Sequence, residues 1–331
     1  MPRSRRMFRP ELFFEVTSMT AGGYYFLRPC KESIDAYYGV VGRALNVHYR
    51  TVKVHALNPL STHSTEVISA SDPEEIPAFV GFVKCNLAKE LRRIHKIDPR
   101  QPIFENRRAR IIPIAPDQAS VEGRLRYCFS QGTKENLVAS PRDWKGVSGV
   151  VPLETNQPVI GLWHDRTAER KARAEGKDVQ PGEFIIEYPV HFSPLPHWES
   201  MGEKGWRQRV TDMIDDIAEA AAEERVRTGK TVLGYEAVTN ISPMFAGEAP
   251  ESSPAPRLHA VGKRAFDALK DVLVAFTNAC RIELERSREI PAYEPRYPPY
   301  AFPPAEPMVR PASVAADLLD VWGIKELGAF A

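Results

Sequence analysis

The sequence predicts an α+β protein with a sheet-forming region over residues 1–150 and a mainly helical region over residues 151–331. Up to residue 150, segments with the two-residue period of strands alternate with segments of helical period. Beyond it, long helical periods and a proline-rich stretch dominate. The charge also changes sign, because residues 1–150 carry 23 Lys and Arg against 15 Asp and Glu, whereas the rest carries 21 against 28.

The first region contains four strand-like and three helix-like segments. The strands are residues 11–18, 51–57, 65–69 and 109–115, and the helices are residues 31–46, 75–95 and the stretch around Arg124–Gln131. The order β-α-β-β-α-β-α is that of a ferredoxin-like split βαβ core with one further helix. We expect an antiparallel sheet with helices on one face, the second and third strands as a hairpin at its centre, and the strand that contains Pro113 at an edge.

The second region is predicted to be a helical, acidic and proline-rich extension. Residues 151–182 are expected to be rich in loops, and residues 182–188 to form a strand. Apolar residues at helical spacing predict helices over 206–227 and 260–286. The segment 291–311 holds eight prolines with aromatic residues between them, which favours an extended chain that lies over the surface.

Composition narrows the class of protein. Charged residues at 26% and hydrophobic residues at 43% are typical of a soluble globular chain, and no apolar run is long enough to cross a membrane. The basic N-terminus is not followed by the apolar core of a secretory signal. The four cysteines are scattered without a C-x-x-C pair, which excludes a cysteine zinc motif and fits a reducing compartment. We therefore predict a cytoplasmic protein whose basic first region binds a polyanion, although two solvated surfaces of opposite sign would give the same counts.

A tyrosine, an amide and an arginine lie on one face of the last helix of the first region. Tyr127 and Gln131 are one turn apart, Arg124 precedes them, and Gly132 is expected to end the helix. This set can act as a nucleophile, a metal ligand and a phosphate clamp. It is equally compatible with an ordinary amphipathic helix that carries a half-buried tyrosine.

A second candidate site lies at the start of the third strand, in the sequence His63-Ser64-Thr65. Residues 63 and 65 point to the same face of a strand, as a His-x-His metal site requires. The second position is a hydroxyl, however, which binds divalent metals weakly. Glu66 is expected on the opposite face and is therefore not a replacement ligand. The structural alternative for His63 is a hydrogen-bonded histidine at the start of a strand.

Several stretches, in order along the chain, resemble the HUH-type single-tyrosine transposases, in particular their REP-associated branch. Phe14–Ser18 is similar to an early strand of the family, and Val52–His63 is similar to the strand and loop that lead into its His-x-His motif. Leu125–Val138 resembles the tyrosine helix and its exit. Two further stretches, Ser140–Ser148 and Gly229–Val238, resemble the end of the domain and the C-terminal extension of longer members.

The resemblance implies an enzyme that folds hairpin-forming single-stranded DNA onto its core, cuts one strand with a tyrosine and rejoins it to another end. By position, Tyr127 is the nucleophile, and His63 and Gln131 are two metal ligands, with Thr65 in the place of a histidine. The implied ion is Mg²⁺ or Mn²⁺, which would polarise the scissile phosphate for attack by a phenol. Glu15 also stands where many members have histidine. Members include monomers and homodimers, so both states stay open.

Arginines of the first region are candidates for contacts with the DNA backbone. They lie in the N-terminal arm, around the start of the fourth strand and on the tyrosine helix: Arg3, Arg5, Arg6, Arg9, Arg107, Arg108, Arg110 and Arg124. Each of them is equally compatible with a charge that only keeps the protein soluble.

Three functions therefore remain open. The first is DNA transposition by metal-dependent strand cleavage and transfer. The second is a catalytically impaired, domesticated relative that still binds DNA hairpins, because the loss of a histidine ligand at Thr65 would weaken metal binding. The third sets the resemblance aside and is a split-βαβ module that binds RNA or protein. The chain does not contain the Lys/Arg-Gly-Phe-x-Phe pattern of RNA-binding strands, which counts against this third function.

Overall fold

The computed structural model describes residues 5–105, 109–247, 256–290 and 292–302. Within these ranges the strands are β1 (Arg6–Met7), β2 (Phe13–Met19), β3 (Val52–Pro59), β4 (His63–Ala70), β5 (Arg110–Ile114), β6 (Val159–His164), β7 (Ile185–Val190) and β8 (Ala301–Phe302). The α-helices are α1 (Lys31–Arg43), α2 (Glu75–Ile94), α3 (Gln118–Lys134), α4 (Val150–Thr155), α5 (Arg166–Ala174), α6 (Pro196–Glu199), α7 (Gly202–Thr228), α8 (Tyr235–Asn240) and α9 (Lys263–Glu289). The predicted α+β class with a helical second region is confirmed.

The four-stranded sheet has the order β3-β4-β2-β5, and all of its strand pairs are antiparallel. This is the strand order of a split βαβ unit, as the sequence pattern predicts. The strand with Pro113 is at an edge of the sheet, where a residue without an N–H costs no ladder bond. The β3–β4 hairpin is not wholly central, because β4 pairs with β2 in the middle whereas β3 is the other edge strand.

Helices cover both faces of this sheet. Glu66 on β4 accepts a hydrogen bond from Tyr37 on α1, and its neighbour Thr65 accepts one from Gln131 on α3. Because successive side chains of a strand point to opposite faces, α1 and α3 lie on opposite faces. The prediction of helices on one face therefore holds for α1 and the α2 helix packed beside it, and α3 covers the other face.

Helix α3 continues past the predicted end at Gly132. That glycine lies inside the helix, which runs to Lys134, and its carbonyl accepts hydrogen bonds from the backbone of Leu137 and Val138. The left-handed residue after the helix is Asn136, at a φ of 54°. Asparagine is, after glycine, the residue that adopts this conformation most readily. The left-handed residue that follows the helix is therefore Asn136 and not Gly132, and both residue types permit this conformation.

Residues 151–182 contain more regular structure than the sequence predicts. They include α4, β6 and α5, and β6 pairs with β7 in an antiparallel hairpin that packs on α1. Two glycines permit this contact. A Cβ on Gly39 would lie 2.1 Å from the carbonyl oxygen of Leu162, and one on Gly161 would lie 2.2 Å from that of Tyr38. The backbones therefore touch directly, which no other residue type allows.

The two predicted regions share one hydrophobic core. Trp198 and Ile214 of the second region belong to the same buried cluster as Phe14 and Ile68 of the sheet, and Phe276 on α9 joins them. Helix α7 packs against α3 and α4. The division at residue 150 into two domains stays a prediction.

The N-terminal arm and the proline-rich segment meet in a short two-stranded sheet of β1 and β8. The predicted extended path of residues 291–311 therefore agrees with the part up to residue 302, and its remainder lies outside the described residues. None of the helices in the described ranges is long and apolar enough to span a membrane.

Candidate functional site

Helix α3 places Tyr127 on its free flank. The helix begins after Asp117, whose carboxylate accepts a hydrogen bond of 3.0 Å from the backbone of Ser120. Its sheet-facing side buries Leu125 and Phe129, whereas the side chain of Tyr127 is 38% exposed. Within the described part of the chain, the Tyr127 hydroxyl makes no hydrogen bond. The phenol is thus accessible to a ligand.

The three candidate metal ligands, His63, Thr65 and Gln131, come together around the Gln131 side chain. Gln131 is only 5% exposed, and its Nε2 donates a hydrogen bond of 2.8 Å to Oγ1 of Thr65. Nδ1 of His63 lies 3.1 Å from Oγ1 of Thr62. Burial lowers the pKa of His63, and its interaction with the Gln131 side chain opposes that shift. His63 is therefore a neutral imidazole at neutral pH, which is the form that binds metals.

These residues do not by themselves make a site for Mg²⁺ or Mn²⁺. The buried Oε1 of Gln131 has no hydrogen-bond partner within the described residues, so it is one available donor, and His63 supplies a second. The third, the Thr65 hydroxyl, is already a hydrogen-bond acceptor. Magnesium binds to proteins mainly through carboxylates, and the described ranges contain no cluster of three His, Cys, Asp or Glu side chains that could hold a metal. The Mg²⁺ or Mn²⁺ cofactor stays a prediction.

Glu66 lies on the other face of the sheet, as its position in the strand predicts. It accepts hydrogen bonds from Tyr37 and Ser64, and burial raises its pKa to about 7. It therefore takes no part in the site beside Tyr127.

Arg124 lies directly against Tyr127. Its guanidinium carbon is 4.0 Å from the centre of the tyrosine ring, which is a cation–π contact. The same guanidinium pairs with Glu15 on β2. Glu15 also accepts a hydrogen bond of 3.1 Å from Nε2 of His259. Burial alone would raise the pKa of Glu15, but the hydrogen bond from His259 and the charge of Arg124 outweigh it and lower the pKa.

Sequence reasoning did not identify His259 as part of this site. The residue reaches Glu15 only because its segment continues the sheet beyond β5, where its N–H donates to Pro113 and its carbonyl accepts from Ala115, at 2.9 and 2.8 Å. No local pattern around residue 259 could have shown this contact, since it depends on the tertiary arrangement.

A groove of about 630 Å³ runs between α3 and α7, with Tyr127 in its wall. Helix α3 contributes two cationic side chains, Arg126, which is paired with Asp216 of α7 at 3.2 Å, and Lys134, and the loop after α7 contributes Lys230. One acidic residue, Glu224, also lines the groove, and it is paired with a neighbouring arginine. Apart from Ile217, the other lining residues are small or polar: Gly123, Ser130, Thr133, Asn136, Ala220, Ala221 and Thr228. The groove thus combines an exposed aromatic ring, a wall of mostly small and polar residues, and two cationic side chains, Lys134 and Lys230, besides the paired Arg126.

The arginines of the N-terminal arm contact the protein itself. The guanidinium of Arg5 stacks on Tyr297 at 3.6 Å, and Arg6 donates to a backbone carbonyl at 3.2 Å. Arg9 is only 4% exposed and pairs with Glu11. Burial on this scale leaves Arg9 no surface for a phosphate, so in this conformation it does not fit the predicted role.

The remaining predicted arginines are partly outside the described residues, namely Arg3, Arg107 and Arg108. Arg110 is exposed on the edge strand β5 and is free of ion pairs with described residues. Of the described members of the predicted set, Arg9 is buried, Arg5, Arg6 and Arg124 are partly exposed, and Arg110 is exposed.

No protein-family model matches the chain, and no curated protein matches its sequence. Among solved structures, the chain is similar to a REP-associated tyrosine transposase bound to a REP hairpin, with a TM-score of 0.36 and 13% identity. The similarity covers 45% of this chain and 82% of that one. At this TM-score it establishes neither the family nor the function of the chain.

Proposed function

We propose that the protein binds single-stranded or hairpin DNA in the groove between α3 and α7. The observation that carries this proposal is the exposed ring of Tyr127 beside three cationic side chains, Arg126, Lys134 and Lys230. Proteins that bind single strands combine these two elements, since bases stack on aromatic rings and cations follow the phosphates. A polyanion ligand also agrees with the positive charge of residues 1–150.

A second candidate function is cleavage of the bound strand by Tyr127, and the free, exposed hydroxyl of this residue favours it. The phenolic oxygen would attack the phosphorus and form a 5′-phosphotyrosine ester. The bond from phosphorus to the 3′ oxygen would break, and the phenolic proton would end on the released 3′ hydroxyl. The guanidinium of Arg124 lies beside the ring, where it could stabilise charge on the phosphate.

Binding is tested with a fluorescent hairpin that carries a single-stranded flank, measured by anisotropy. Stacking on an aromatic ring contributes about 1–3 kcal/mol per base, so Tyr127→Ala should weaken binding by about tenfold, whereas Tyr127→Phe should retain it. Tyr300→Ala is the matched control, because Tyr300 is 37% exposed and lies outside the groove. Absence of binding by the wild type would overturn the proposal, and equal affinity for an unrelated RNA would favour the RNA-binding alternative.

Cleavage is tested on a denaturing gel with the same DNA, with and without Mg²⁺ or Mn²⁺. A covalent species that forms with the wild type but not with Tyr127→Phe would establish the second candidate. Binding without any such species would show a DNA-binding protein that does not cut under these conditions, which is the impaired relative expected from Thr65.

A further inference from the structure

We infer that Glu15 and His259 are positioning residues, which orient Arg124 beside Tyr127 so that its Nη1 group binds one phosphate of the DNA strand. This inference rests on the proposed DNA binding and adds to it a particular contact and the residues that prepare it.

The contacts of Arg124 leave one end of its guanidinium free. Nε donates to Oε2 of Glu15 at 2.7 Å, and Nη2 donates to the same oxygen. Nη1 makes no hydrogen bond to any described residue. The side chain of Arg124 is 20% exposed, so this free end is accessible beside the Tyr127 ring. A guanidinium fixed on one edge presents its remaining N–H groups in a defined direction, which suits a phosphate oxygen.

Glu15 is itself held from a second side. Its Oε1 accepts from Nε2 of His259, so the two carboxylate oxygens have different partners and the group cannot rotate without losing a hydrogen bond. The backbone of His259 is bonded to Pro113 and Ala115, the residues on either side of Ile114 in β5, and the N–H of Val261 donates to Oγ of Ser120 at the start of α3. The second region of the chain thereby positions a side chain of the first.

The opposite charges of Arg124 and Glu15 explain why this pair should orient one hydrogen bond to the DNA and contribute little to the general electrostatic attraction of DNA. Arg124 and Glu15 have opposite charges at a side-chain exposure of 20% and 6%, so the pair adds little net charge beside the Tyr127 wall of the groove. Its contribution to DNA binding must come from one oriented hydrogen bond. Loss of His259 should therefore weaken one phosphate contact and leave the general attraction of the groove for DNA intact.

The test is a set of hairpins in which single phosphates of the flank are replaced by neutral methylphosphonates. In the wild type, one replacement should weaken binding by about tenfold, the size expected for one lost charge-assisted contact. In Arg124→Ala the same replacement should have no further effect, which is the mark of a direct contact in a double-mutant cycle. In His259→Phe the loss should fall to less than about threefold, and His259→Gln, which keeps an N–H donor, should restore it.

His164→Phe is the matched control, because His164 also pairs with a glutamate, Glu169, but on β6 and α5, away from the groove. It should respond to the replacement like the wild type. Each value is a ratio of two DNAs on one protein preparation, so partial unfolding of a variant cancels. The inference would be overturned if Arg124→Ala and the phosphate replacements had additive effects on binding at every position. It would also be overturned if His259→Phe lost as much affinity on replacement as the wild type does. Either result would leave the proposed DNA binding intact. A wild type that binds neither DNA would instead overturn the proposed function.

Discussion

Thr65 is the residue on which metal chemistry at this site depends. It faces the same side of β4 as His63, and its hydroxyl accepts the hydrogen bond that Gln131 donates. An imidazole in place of this hydroxyl would bring a second nitrogen donor to the buried Oε1 of Gln131, which has no partner among the described residues. One side chain therefore separates the present hydrogen-bonded arrangement from a three-donor site.

Thr65→His should accordingly create a binding site for Mn²⁺. We expect the variant to bind Mn²⁺ about 10–100-fold more tightly than the wild type does. Changing a residue that coordinates a metal, or one that supports such a residue, typically alters metal affinity by this factor. Isothermal titration with Mn²⁺ measures the change, and the double variant Thr65→His, His63→Ala should lose it again. Equal Mn²⁺ affinity for wild type and Thr65→His would show that the three positions do not converge on a cation.

At the scale of elements, the contact between α1 and the β6–β7 hairpin depends on the absence of side chains. The helix backbone at Gly39 touches the strand backbone near Leu162, and the strand at Gly161 touches the helix near Tyr38. This reciprocal contact attaches the start of the second region to the helix layer of the first.

Gly39→Ala should therefore destabilise the protein by about 2–4 kcal/mol, since a methyl group 2.1 Å from a carbonyl oxygen forces the hairpin away from the helix. Gly81→Ala on α2 is the matched control, because a Cβ there meets no atom within 4 Å. It should stabilise the protein by about 0.5–1 kcal/mol through helix propensity alone. Urea denaturation measures both, and changes of the same sign in the two variants would contradict the packing argument.

At the scale of the whole molecule, Glu122 joins α3 to α6 and α7. Burial alone would raise its pKa, but donors from Arg209, Trp198, His197 and Gln118 outweigh it and lower the pKa to about 2. The unfolded chain would therefore bind a proton more readily than the folded one between pH 4.5 and 2. The stability that Glu122 contributes is present above about pH 4.5 and is lost as the pH falls toward 2.

Glu122→Gln should lower the free energy of unfolding at pH 7 by about 2 kcal/mol and should flatten its decline between pH 4.5 and 3. Denaturant unfolding at pH 7, 4.5 and 3 measures both effects. Glu219→Gln, an exposed change on α7, serves as the control and should leave the curve unchanged. A variant as sensitive to acid as the wild type would show that other groups are responsible.

Local pattern was sufficient for most elements of the first region and for part of the site. Strand and helix periods identified β2 to β5 and α1 to α3, because burial of one face imposes those periods on the sequence. Helical spacing likewise placed Arg124 against Tyr127, and strand alternation placed Glu66 away from His63. The end of α3 was missed, because glycine and asparagine both permit the left-handed residue that follows a helix.

The tertiary structure alone decided which distant segments complete the site. The groove exists because α7 packs beside α3, and Arg124 has a fixed orientation because His259 continues the sheet next to β5. The burial of Arg9, which the sequence proposes as a contact with DNA, likewise results from packing of the arm. The hydrophobic period of a helix or strand indicates which of its faces is buried, but it does not indicate which other segment covers that face. Contacts between residues far apart in the chain therefore left no local pattern from which they could be predicted.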